Sequence, residues 1–176
     1  TGAERPELYA RAGFVAGRDE RILVLLRRPR RPTNGLVREA TFADHGALQR
    51  LHAQKPVHVE RTPLAMSGLL TTPGLTTLVL ERDGAIVAYV CTGKGADLQG
   101  HWHELGGSDE DLAELLPAAM HTIEAIEAAV LVPPYRPQLH ELLGRAVAGE
   151  ATIPGPMVRS LGVPLADAWI DGLDSV

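Results

Sequence analysis

Apolar and polar positions recur with two periods along this chain, and the changes of period mark its elements. Three β-rich runs follow one another between residues 75 and 105. The first covers residues 75–81 and the second residues 85–92, and Asp83-Gly84 between them is a strong hairpin signal. A short Gly-rich loop leads to the third run, residues 100–105, which ends at Gly106-Gly107. From Ser108 the period becomes that of a helix. Leu112, Leu115, Leu116, Ala119, Met120 and Ile123 recur on one face. Ser108 and Asp111 fit a variant of the capping box, and Asp109, Glu110 and Asp111 crowd the positive end of the helix dipole. Pro117 inside this run predicts a kink or an early end.

The flanks extend this centre in both directions. Residues 5–12 read as a helix ended by Gly13, and residues 14–16 and 21–27 as two strands. Ile22 through Leu26 form a nearly continuous apolar run, the signature of a strand covered on both faces. So short a segment cannot bury that strand alone. It must dock on the rest of the chain or on a region upstream. Residues 29–35, rich in Pro, Arg, Thr, Asn and Gly, read as a solvated linker between domains. Residues 36–40 form a short strand. Thr41 caps a helix running to about residue 53, with Phe42, Leu48 and Leu51 as its apolar positions and Asp44 in its first turn. Thr62-Pro63 opens a second helix that ends near residue 72. After the central helix come a buried strand at 128–132, a helix at 138–147 and two closing strands at 156–161 and 169–173. From residue 36 the order is β-α-α-β-β-β-α-β-α-β-β, an α/β class built on a mixed sheet.

Composition narrows the picture. The 176 residues, 45% of them apolar, suffice for one domain with a real core. No apolar run approaches the roughly 18 residues of a membrane span. Cys91 has no possible partner within the chain and lies in an apolar strand, so it reads as buried packing and fits a reducing cytoplasm. The chain starts at Thr1 without an initiating Met and reads as processed or truncated. The net charge of −5 is uneven: residues 1–32 hold eight Arg against four acids, and the remainder nine basic residues against eighteen acids. An acidic body argues against nucleic-acid binding, which needs a cationic surface.

Two helices before a three-strand meander and one helix after it resemble the GCN5-related N-acetyltransferase (GNAT) fold, over residues 36–176. The first segment adds to this. Leu8-Tyr9-Ala10-Arg11-Ala12-Gly13-Phe14 is similar to the Leu-Tyr-x-x-x-Gly-Phe signature that closes a GNAT domain, where two final strands follow the Tyr helix. The resemblance implies a mostly antiparallel central sheet flanked by helices, the acyl-CoA N-acyltransferase fold. It also implies a tandem arrangement: residues 1–30 would be the last helix and strands of a preceding lobe, 31–35 a linker, and 36–176 a GNAT-like domain. The expected activity is acetyl transfer from acetyl-CoA to an amine, by this lobe or by the protein it belongs to. The expected partners are an amine acceptor, small molecule or peptide, and either a second copy or the preceding lobe, with no nucleic acid and no membrane.

The same resemblance nominates site residues. It sets the cofactor pyrophosphate at the start of the central helix, where free N–H groups and the dipole favour an anion, here Leu105, Gly106, Gly107 and Ser108. The family's Arg or Gln and its third small residue are absent there, and three carboxylates stand in the first turn. The stretch therefore also reads as a capped structural helix. On the third strand of the meander, strict alternation puts His101, His103 and Leu105 on one face and Trp102 and Glu104 on the other. Glu104 or His103 would be the base that deprotonates the amine, and both also read as polar residues of a half-exposed strand. No third ligand is spaced to make a metal site of His101 and His103. Tyr9 matches the tyrosine that protonates the departing thiolate in the family, and it also reads as a packing residue. The other histidines, His45, His52, His58, His121 and His140, read as surface or capping residues. A degenerate lobe without catalysis, serving a structural or acceptor-binding role, is the alternative function.

Overall fold

The computed structural model describes residues 6–159 apart from 18, 31, 96 and 156. The strand expected at 169–173 and the end of that expected at 156–161 lie outside the described residues. Chain order is α1 (Pro6–Arg11), β1 (Val15–Ala16), β2 (Glu20–Leu26), β3 (Leu36–Glu39), α2 (His45–Ala53), α3 (Pro63–Leu70), β4 (Thr76–Arg82), β5 (Ala85–Lys94), β6 (Asp97–Gly106), α4 (Asp109–Thr122), β7 (Glu127–Val132), α5 (Leu139–Leu143), β8 (Val147–Ile153) and β9 (Met157–Val158).

Seven strands form one sheet in the order β3-β4-β5-β6-β7-β2-β8. Every neighbouring pair is antiparallel except β6 and β7. The sheet is mixed and mostly antiparallel, with helices on both faces. The β4–β5 turn has φ 52° at Asp83 and 76° at Gly84, the pair of left-handed conformations that a two-residue hairpin requires. Helix α3 starts where Thr62 Oγ1 accepts the Ala65 amide, and α4 where Ser108 Oγ accepts the Asp111 amide. Helix α4 runs on through Pro117, so neither the early end nor a break occurs.

Alternation along β4 and β5 sorts their side chains into two cores. Leu78, Leu80, Ala88 and Val90 join Leu112, Leu115, Leu116, Leu139 and Leu143 from α4 and α5. Val79, Tyr89 and Cys91 join Leu48 of α2 and Met66 of α3. Burial pushes the Cys91 thiol well above its usual range, as expected of a packed cysteine. One predicted apolar position fails: Phe42 is 79% exposed. It belongs to a 3₁₀ turn (Phe42–Asp44) that precedes α2, and Asp44 is drawn inward instead by Arg38, which donates to both of its carboxylate oxygens at 2.8 and 2.9 Å.

The apolar run at the start of the chain docks on the rest of it. Strand β2 lies inside the sheet, paired with β7 on one side and β8 on the other. Leu23 and Leu25 are fully buried in the core under α4 and α5. The sheet therefore continues across the division drawn at residues 31–35. Residues 27–30 and 32–35 form a strap beside α4. Arg28 Nε donates to the Arg145 carbonyl at 3.1 Å, and His121 Nε2 lies 2.8 Å from the Arg28 carbonyl. The expected helix at 138–147 is shorter: α5 ends at Leu143, a 3₁₀ turn (Gly144–Ala146) follows, and the chain becomes β8. Strand β8 was not expected, and among the described residues its only neighbour in the sheet is β2.

Because β2 is an interior strand, Leu25→Ala is expected to lower stability by about 2–5 kcal/mol in urea denaturation. A loss below about 1 kcal/mol would mean that β2 is a loose appendage.

Candidate functional site

One extra residue reorganises the strand that carries the nominated bases. Cys91 of β5 pairs with Glu104, and the next residue, Thr92, pairs with Trp102. His103 is left over as a β-bulge, which bends and twists the strand locally. The bulge also breaks the alternation that assigned Trp102 and Glu104 to one face. Trp102 lies in the core under α4 with Leu105, whereas Glu104 points to the α2 side. The parallel ladder to β7 holds only at His101–Ala129 and Trp102–Val130, so the two strands part where the bulge begins. His103 itself is buried, with Nε2 2.9 Å from the Gly93 carbonyl.

Glu104 is fully buried in a charged cluster. Arg61 donates to both carboxylate oxygens at 2.8 Å, a two-pronged geometry that only a guanidinium offers. The Tyr89 hydroxyl donates to Oε1 at 2.7 Å, and Lys55 Nζ and His52 Nδ1 each stand 3.5 Å from the same atom. Burial alone would raise the Glu104 pKa. The Lys55 charge, the His52 ring and the Arg61 guanidinium outweigh it and hold the carboxyl well below its usual range. Glu104 is thus an ionised, fully engaged carboxylate, which has little affinity for a proton near neutral pH.

The cluster shapes the irregular segment between α2 and α3. Gln49 Nε2 donates to the Arg61 carbonyl at 2.8 Å, His52 Nε2 lies 2.8 Å from the Val59 carbonyl, and His58 Nδ1 2.8 Å from the Lys55 carbonyl. His52 is therefore a buried member of the site and not a surface or capping residue. His45 likewise bridges α2 to α3, with Nδ1 2.7 Å from Ser67 Oγ. Lys55, Arg61 and Tyr89 were absent from the residues the sequence nominated. Their only common signal is a charge or hydroxyl among otherwise unpatterned or apolar neighbours.

The glycine elbow has a packing explanation. A Cβ on Gly106 would overlap the Tyr89 ring, and one on Gly107 would come within 2.6 Å of the Val87 carbonyl. Gly107 also has φ 114°, a backbone that glycine tolerates best. Beyond it, Ser108 Oγ donates to Asp111 Oδ2 at 2.9 Å. Asp111 and Glu114 accept from Arg82 at 2.8 and 3.0 Å. Asp109 accepts from Arg136 at 2.6 Å, and Arg136 also donates to the Gly107 carbonyl at 3.0 Å. The start of α4 is thus occupied by the protein's own ion pair. Acetyl-CoA, the cofactor implied by the resemblance, would need an open anion site there. Asp109 and its neighbours meet a pyrophosphate with like charge, at about 1 kcal/mol per pair at 4 Å in water and more where partly buried. Leu105, Gly106, Gly107 and Ser108 do not fit that group.

Tyr9 stands apart from these residues. It belongs to α1, which packs on β1; its side is 45% exposed and its ring meets Phe14 edge-on at 5.8 Å. The structure thus joins Glu104 to residues unforeseen, places His103 beside it in the bulge, and leaves Tyr9 on the N-terminal helix.

No family model matches this chain, and no curated protein does. Solved structures do. A GCN5-related N-acetyltransferase from Anabaena variabilis ATCC 29413 superposes with a TM-score of 0.55 at 11% identity, over 86% of this chain and 43% of that one. One from Kribbella flavida gives 0.50 at 13% identity, over 86% of this chain and 63% of that one. The chain has the fold of the GCN5-related N-acetyltransferases. It spans 43% and 63% of the length of these two proteins.

Removing the Glu104 charge is expected to be costly, because Lys55 and Arg61 are buried against it. Glu104→Gln should be about 3–5 kcal/mol less stable than the parent at pH 7. A depressed carboxylate pKa gives stability that is present above the unfolded value of about 4.3 and is lost as pH falls through the folded value. The gap between parent and variant should hold constant from pH 7 to about pH 5 and close only in strong acid. Chemical denaturation at a series of pH values measures this, and a gap that closes near pH 6 would contradict it.

Proposed function

We propose that this chain is the accessory lobe of an acetyl-CoA-dependent N-acetyltransferase of GNAT type, which transfers acetyl to an amine. In this reading the lobe supports the enzyme and bounds its acceptor pocket, and another lobe holds the cofactor. The observation that carries the reading is the Asp109–Arg136 pair at the start of α4, closed by Arg136 on the Gly107 carbonyl. The engaged, low-pKa state of Glu104 supports it too, since a carboxylate held by Arg61 is a weak base. In the tandem arrangement, residues 1–30 descend from the preceding lobe, Tyr9 serves that lobe, and β2 ties the two together.

A second reading is favoured by the parting of β6 and β7 after Trp102. Backbone amides freed at such a gap would hold the thioester carbonyl, and this lobe would then be catalytic, with His103 or Glu104 near the amine. Calorimetric titration of the chain with acetyl-CoA separates the two. The accessory reading expects no binding up to about 1 mM, whereas a micromolar dissociation constant would overturn it.

A further inference from the structure

Arg28, Pro29, Pro32 and Thr33 of the strap face α4 across a gap. Beneath the strap is a cavity of about 180 Å³, bounded by α4, α5 and the 3₁₀ turn before β8. Its floor is made of small or apolar side chains, Ala113, Pro117 and Ala118 from α4 with Leu143 and Ala146 opposite. An engineered cavity of ~150 Å³ admits benzene, so this one has room for a ring or a short acyl chain. Pro117 adds a polar feature, since a proline has no N–H to give to the Ala113 carbonyl one turn earlier.

The charges around the cavity are one-sided. Arg28 on the strap and Arg145 on the opposite wall both line it and are exposed. Arg28 uses its Nε on the Arg145 carbonyl, which brings the two residues together at one end. Among the described residues Glu114 is the only carboxylate lining the cavity, and it is engaged by Arg82 at 3.0 Å. His121 Nε2 faces the Arg28 carbonyl at 2.8 Å, and its neutral form suffices for that contact. An apolar floor with two arginines among its lining residues matches a molecule with an apolar body and one anionic end.

We propose that this cavity binds a small amphipathic carboxylate, its apolar body against Ala113, Pro117 and Ala118 and its carboxylate at Arg28 and Arg145. The site lies away from the Glu104 cluster and does not depend on the acetyltransferase reading. Its occupant would brace the strap and, through it, the interior strand β2.

The test is a titration of the isotopically labelled full chain with sodium octanoate, followed by amide NMR shifts, beside its neutral isostere octanamide. Expected are saturable shifts at Ala113, Ala118 and Ala146 with a dissociation constant below about 1 mM, and weaker binding of octanamide. The surface variant Arg28→Gln/Arg145→Gln should weaken octanoate about three- to tenfold and remove the preference for the anion. Ala118→Phe, which fills the floor, should abolish the shifts while the spectrum stays dispersed. Shifts that do not saturate, shifts confined to other residues, equal binding of octanamide, or binding undiminished in the double arginine variant would each overturn the proposal.

Discussion

A carboxylate with no exposed atom must be neutralised where it stands, and Glu104 imposes that requirement in the middle of the sheet. Desolvating such an ion costs several kcal/mol, which only close, well-oriented partners offset. Arg61, Tyr89, Lys55 and His52 are those partners, and they come from three parts of the chain. The segment between α2 and α3 has no periodic apolar face of its own. It is held because its cations must reach Glu104 and because Gln49, His52 and His58 close contacts with its carbonyls. The cost of breaking any one partner makes the cluster a unit.

The bulge at His103 places that cluster. By adding one residue against β5 it sends Trp102 into the core under α4 and Glu104 toward α2, where strict alternation would have kept them together. The same insertion ends the parallel ladder with β7, so the charged cluster stands beside the opening between the two strands. The fold of the GCN5-related N-acetyltransferases is thus present. The start of α4 is a different matter. Acids fill the first turn of α4, Arg82 and Arg136 answer them, and the glycines are explained by contact with β5. The turn is closed by ion pairs of the protein's own.

The elements that could be read directly are those governed by near neighbours. The Asp83-Gly84 hairpin, the Thr62 and Ser108 caps and the apolar face of α4 all depend on residues within about one turn of one another. Phe42 had the right spacing for a core position and is nonetheless exposed, because the chain enters α2 through a 3₁₀ turn that rotates it outward. Strand β8 offered neither alternation nor an apolar run, and most of it is exposed; it is a strand because β2 presents an edge to it. Of the nominated site residues, Glu104 proved central. Its partner Arg61 is 43 positions away, and no spacing rule links two such residues.

By itself, then, the sequence determined the order and kind of the elements around the meander, the fold class, and the crowding of acids at the start of α4. These follow from hydrogen bonds and periodicities that are complete within a few residues. Only the tertiary structure decided that β2 is an interior strand, that His103 is a bulge, and that Glu104 is an ion-paired anchor. Each of those depends on which distant segment supplies the missing partner, a backbone edge for β2 and a guanidinium for Glu104, and that choice is made when the sheet closes.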